Sequence, residues 1–131
     1  MDATPLTQVS VLVVEDHEDT RHLLEFVLLD AGALVQTAAS AGDALRLLQV
    51  TVPDVVLIDL GMTGRDGYWL LSAIQSLAAE KPVRTIAVTA HVLPRERDRA
   101  LAAGFDAFLT KPFLPQQLVN VISTLVPRDW R

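Results

Sequence analysis

Five times along the chain a short run of β-branched and aliphatic residues gives way to a longer stretch with helical periodicity. The runs are SVLVV (10–14), ALVQTA (33–38), DVVLI (54–58), TIAV (85–88) and AFLT (107–110). Most are apolar throughout, which suits strands covered on both faces, as in a parallel sheet flanked by helices. Helices are predicted over 19–30, 41–50, 66–79, 94–103 and 115–125. Ser40 with Asp43 forms a start resembling a capping box, Pro94 and Pro115 suit first helical turns, and Gly32 and Gly104 fall where C-terminal caps belong. The alternation implies an α/β fold, a doubly wound (βα)5 sheet with right-handed crossovers.

In such a sheet the crevice lies beyond the carboxyl ends of the strands, so the residues just after each apolar run share one space. Those residues are Glu15 and Asp16, Asp59, Thr89 and Lys111, while the second run ends in Ala39 and Ser40. Three carboxylates in one crevice repel each other and call for a proton or a cation. Oxygen ligands without His or Cys favour a hard metal, so Mg2+ is predicted, with Mn2+ as a substitute. Magnesium held this way accepts phosphate oxygens, which points to phosphoryl chemistry. Asp59 would form an acyl phosphate, and Lys111 and the Thr89 hydroxyl would hold its oxygens.

These residues resemble the receiver domain of two-component response regulators over nearly the whole chain. The motifs come in order: VVEDHED, IDLGMTGRDG, VTA and FLTKPF. The resemblance implies a flavodoxin-like sheet in strand order 2-1-3-4-5. It implies that Asp59 is phosphorylated from a phosphohistidine, and that Glu15, Asp16, Asp59 and the Gly61 carbonyl surround Mg2+. It also implies that Thr89 and Phe108 switch inward together, and that the Lys111–Pro112 bond is cis. A histidine kinase or histidine phosphotransfer protein would be the partner. The face made by the fourth helix, fifth strand and fifth helix would dock partners or a second copy. Three positions depart from the usual pattern: Thr63 replaces a proline, Glu15 an aspartate and Phe108 a tyrosine. A looser loop after Asp59 follows, together with a Glu15 contact to the metal through water. IAVTAHVLPRERD to GFDAFLTKPF resembles receivers attached to hybrid kinases. A receiver over 9–126, an N-terminal extension over 1–8 and a stub over 127–131 are predicted, with no output domain following.

Composition excludes several alternatives. The formal charge of -5 disfavours direct binding to nucleic acid or anionic lipid. The absence of cysteine removes thiolate metal sites and fits a reducing cytoplasm, whether the domain is free or part of a membrane-anchored kinase. No secretory signal or apolar run of membrane-spanning length is present, so no membrane insertion is predicted. A nucleotide-binding α/β domain would need a glycine-rich turn where EDHEDT stands. A Mg2+-dependent phosphohydrolase would want a second acid at the place of Gly61, and a scaffold that is never phosphorylated would not need the full set of side chains. The domain is therefore read as a switch that catalyses only its own phosphorylation and dephosphorylation.

Other polar residues have plainer roles. Glu18 and Asp19 suit the first turn of a helix dipole, and His17 and His22 lack metal-ligand spacing. His91, two residues past Thr89, is assigned to tuning water access to the acyl phosphate; His91→Ala should then change the dephosphorylation rate. PRERDRAL interleaves opposite charges and reads as a solvated helix face. Of Tyr68 and Trp69, one is predicted in the core and one at the surface.

Overall fold

The computed structural model describes residues 4–62, 67–77, 82–90 and 93–127. Its elements run β1 (Ser10–Val14), α1 (Glu18–Asp30), β2 (Leu34–Ala38), α2 (Ala41–Leu48), β3 (Val55–Asp59), α3 (Gly67–Leu77), β4 (Arg84–Thr89), α4 (Pro94–Ala103), β5 (Ala107–Thr110) and α5 (Pro115–Leu125). The strands form one parallel sheet in the order β2-β1-β3-β4-β5. This is the doubly wound sheet that the alternation predicts.

The apolar runs are continuous because each strand serves two cores. Side chains alternate along a strand, so Val11, Val13, Val55, Leu57, Ile86 and Val88 face α1 and α5, where Leu24, Leu28, Leu118 and Ile122 meet them. Leu12, Val14, Val56, Ile58 and Ala87 face the other way, onto Ala44, Leu48, Leu70, Ile74 and Ala100. Each fully buried Val, Leu or Ile contributes roughly 1.5–3 kcal/mol. Residues before β1 join the first of these cores: Leu6 is completely buried, and its N–H bonds the Ala31 carbonyl at 2.9 Å.

Element ends follow local chemistry. Ser40 Oγ accepts the Asp43 N–H at 3.0 Å, but the Asp43 carboxylate pairs with Arg46. Gly32 and Gly104 take φ of +96° and +118°, the left-handed geometry of a helix stop. Several boundaries differ from the sequence reading by one or two residues. Ala33 and Asp54 stay outside their strands, β4 is longer at both ends, and α2 stops at Leu48. Asp54 is instead a fully buried acid whose Oδ2 accepts the Ser10 N–H and hydroxyl. Tyr68 and Trp69 are both half-buried against the second core rather than divided between core and surface. The described part of α3 begins with Gly67.

Gly67 lets α3 approach β3 closely. A Cβ there would lie 2.7 Å from both Ile58 Cγ2 and Leu60 Cδ2. Gly67→Ala should therefore cost about 1–3 kcal/mol in urea unfolding, the scale of overpacking a tight core. A variant as stable as the parent would show that the helix can shift freely.

Candidate functional site

The chain reverses into a helix after β1, into a loop after β3 and β5, and the three strand ends deliver their charges to one place. Glu15, just past β1, is 1% exposed; Asp59, the last residue of β3, is 8% exposed; Asp16 sits on the exposed rim. One carboxylate oxygen from each lies within 4.8 Å of the others. Lys111 reaches in from beyond β5, with Nζ 2.8 Å from Glu15 Oε1 and 3.5 Å from Asp59 Oδ2. Its backbone is fixed by an N–H bond of 2.7 Å to the Thr89 carbonyl. The Lys111–Pro112 bond is cis.

The other residues singled out in the sequence surround this group. Gly61 donates its N–H to Asp59 Oδ1 at 2.8 Å, so the backbone doubles back under the acid. Thr89 ends β4 and is buried. Phe108 is half-buried and lines a cavity of about 370 Å³ beside α4. Thr63 and His91 lie outside the described residues. His17 and His22 are exposed, and His17 serves as the N-cap of α1, accepting from the Thr20 N–H. Glu18 and Asp19 occupy the first turn of that helix. Two contacts escaped the sequence reading. Arg21 Nη1 donates to the Glu15 carbonyl at 3.0 Å, and the His17 N–H donates to Glu15 Oε2 at 3.2 Å.

Electrostatics explain why the group wants a cation. Burial raises the Glu15 pKa above the usual carboxylate value and its hydrogen bond with Asp59 adds to this, while Lys111 and the His17 N–H pull the other way. Burial disfavours the Lys111 ammonium, but Glu15 and Asp59 outweigh it and leave the lysine pKa raised. One lysine thus pairs with two of the three carboxylates. An oxygen-only set with excess negative charge, exposed on one side through Asp16, fits a hard divalent ion.

The sign of the pH dependence follows. Glu15 holds its proton more tightly folded than unfolded, so its contribution to stability is complete below the ordinary carboxylate pKa and is lost as pH rises through the raised value. A metal needs the ionised form, so its stabilisation should grow over that same interval. Thermal unfolding with and without Mg2+ should show a larger Mg2+ increment at neutral than at acid pH. At a concentration about a hundredfold above Kd, the gain is about 2.7 kcal/mol. An increment independent of pH would show that Glu15 does not contact the added ion.

Comparison with known proteins agrees with the geometry. The sequence profile of the response regulator receiver domain matches residues 11–123. An uncharacterized 14.6 kDa protein of Leptolyngbya boryana is 38% identical over 117 residues, covering 89% of each chain. The sensor histidine kinase RcsC of Salmonella typhi is 36% identical over 118 residues, covering 90% of this chain but 12% of the kinase. Among solved structures, the chemotaxis protein CheY4 of Vibrio cholerae superposes with a TM-score of 0.84 at 28% identity, over 91% of this chain and 99% of that one.

The fold and the acidic crevice are those of a class of phosphorelay signalling domains, which are not classical enzymes. The chain belongs to the receiver domain family of two-component response regulators. Receiver domains of this family bind Mg2+ and act with histidine kinases or phosphotransfer proteins. No helix among the described residues is long and apolar enough to cross a membrane.

Proposed function

We propose that Asp59 is the phosphoacceptor and that Glu15, Asp16, Asp59 and the Gly61 carbonyl hold Mg2+, with Mn2+ able to replace it. The observation that carries this reading is the convergence of the three carboxylates within 4.8 Å beside Lys111. A carboxylate oxygen of Asp59 attacks the phosphorus of a phosphohistidine; the new O–P bond forms as the P–N bond breaks, and the imidazole leaves with the electron pair. Bound Mg2+ would neutralise charge on the phosphoryl oxygens. Lys111, already 3.5 Å from Asp59 Oδ2, would pair with one of those oxygens, and the Thr89 hydroxyl with another. Water attack on the acyl phosphate returns the free acid, so the domain's only chemistry is on itself.

The phosphoryl group works as a conformational ligand. Hydrogen bonds to charged groups contribute roughly 1.5–3 kcal/mol each, so Thr89 and Lys111 together approach about 3–6 kcal/mol. Moving a population from 1:99 to 99:1 takes about 5.5 kcal/mol. Two contacts are therefore enough for a substantial switch, in which Thr89 and Phe108 move together. The receiver is assigned to residues 9–126, free or within a longer cytoplasmic or membrane-anchored chain, and α4, β5 and α5 form its docking or dimer face.

The test is incubation with a small phosphodonor and Mg2+, followed by intact mass and peptide mapping. A phosphoryl adduct should form, map to Asp59 and vanish when a chelator replaces the metal. An adduct on another residue, or none under any condition, would leave a scaffold that binds partners without phosphorylation.

A further inference from the structure

Among the described residues, α4 buries one side chain, Ala100. Leu93 and Leu101, near its two ends, leave 49% and 39% of their surface exposed. Side chains of α3 also reach it. The Arg99 guanidinium lies 4.5 Å above the Tyr68 ring centre, and Tyr68 meets the buried Phe105 edge-on, with centroids 5.8 Å apart. At the far end, Gln75 Nε2 donates to the Ala103 carbonyl at 3.3 Å. Gly104 follows in left-handed geometry, so close that a Cβ would sit 2.3 Å from the Gln75 amide nitrogen. On the flank toward β5 the helix borders the cavity of about 370 Å³, lined by Leu93, Pro94, Arg97, Asp98, Phe108 and Thr110. The helix thus packs on β5 beside this cavity and is held on its α3 flank by these two side-chain contacts.

We propose that the stacking of Arg99 on Tyr68, backed by Gln75, is a latch that holds α4 against α3 and opposes its movement when the domain takes up a phosphoryl group. The latch shares its root with the phosphoacceptor. Gly67, directly before Tyr68, lies so close to Ile58 and Leu60, the neighbours of Asp59 on either side, that a Cβ would collide with both. A disturbance at the end of β3 therefore reaches Tyr68 through the first turn of α3. The claim about phosphorylation rests on the assignment of Asp59; the claim that α3 restrains α4 does not.

Hydrogen exchange of the α4 amides tests it, on the wild type, Tyr68→Leu, Arg99→Gln and the double variant, with binding of the phosphoryl mimic beryllium fluoride in Mg2+ measured alongside. Each single change should speed α4 exchange about two- to fivefold, the size of an exposed cation–π contact. The double variant should go no further than Tyr68→Leu, because the pair shares one interaction. Apparent affinity for the mimic should tighten by a similar factor, since the arrangement without phosphoryl has lost a contact. Arg99→Gln changes an exposed side chain and keeps the core, so it decides the matter if Tyr68→Leu loosens the whole fold. Unchanged α4 exchange, additive effects or an unchanged affinity would each overturn the latch. Failure of the wild type to bind the mimic would instead overturn the phosphoacceptor assignment, and the exchange data would still judge the restraint on α4.

Discussion

Asp59→Asn is expected to form no phosphoryl adduct and, without metal, to be more stable than the wild type. The first effect is absolute, because an amide is not a nucleophile toward phosphorus at neutral pH. The second follows from comparing charges. At an effective dielectric near 20, like charges no more than 4.8 Å apart repel by at least about 3.5 kcal/mol, and Asp59 has two such neighbours, Glu15 and Asp16. Its attraction to Lys111 at 3.5 Å is about 4.7 kcal/mol on the same scale. Repulsion wins by a small margin, reduced further by the proton that Glu15 retains, so a gain on the order of 1 kcal/mol is expected. Asparagine keeps an oxygen for the Gly61 N–H, so the loop has no reason to rearrange. Intact mass after phosphodonor treatment and urea unfolding in chelator measure the two effects. Equal adducts on both proteins, or a variant that is weaker in chelator, would contradict the site.

The second large effect lies far from the chemistry. Leu6 precedes the segment matched by the family profile, yet it is completely buried with Leu28 and Ile122 in the core under α1 and α5. Leu6→Ala should cost about 2–5 kcal/mol, the range for emptying a leucine site that cannot collapse. Phe26→Ala on α1, where the ring is 67% exposed, serves as a control and should stay within about 0.5 kcal/mol. Urea midpoints compare them directly. If the two variants behave alike, the N-terminal segment is not part of the folded core.

The contrast between these residues shows what the sequence disclosed. Asp59 could be placed because it ends a run of buried strand residues, and strand ends in a parallel α/β sheet converge by topology. Glu15, Asp16, Thr89 and Lys111 followed by the same rule. Leu6 could not, since an isolated leucine in TPLTQ has no periodicity to give it a face. Asp54 reads as a strand residue beside the apolar run VVLI, whereas its carboxylate closes on Ser10, 44 positions away. Lys111 and Glu15 are 96 positions apart, and only the fold reveals that they pair. The Arg99–Tyr68 contact was hidden for a similar reason: PRERDRAL reads as a solvated face, and most of it is one.

The far edge of the sheet gives this arrangement a direction. Asp54 grips the start of β1 through the Ser10 N–H, and Asp106 grips the start of β4 through the Thr85 N–H at 2.8 Å. Two strands are thereby moored at the end away from the acidic crevice and have little freedom to slide lengthwise. The floor beneath the acids is in this sense pinned from behind, and a push along either strand works against a carboxylate's hold on it.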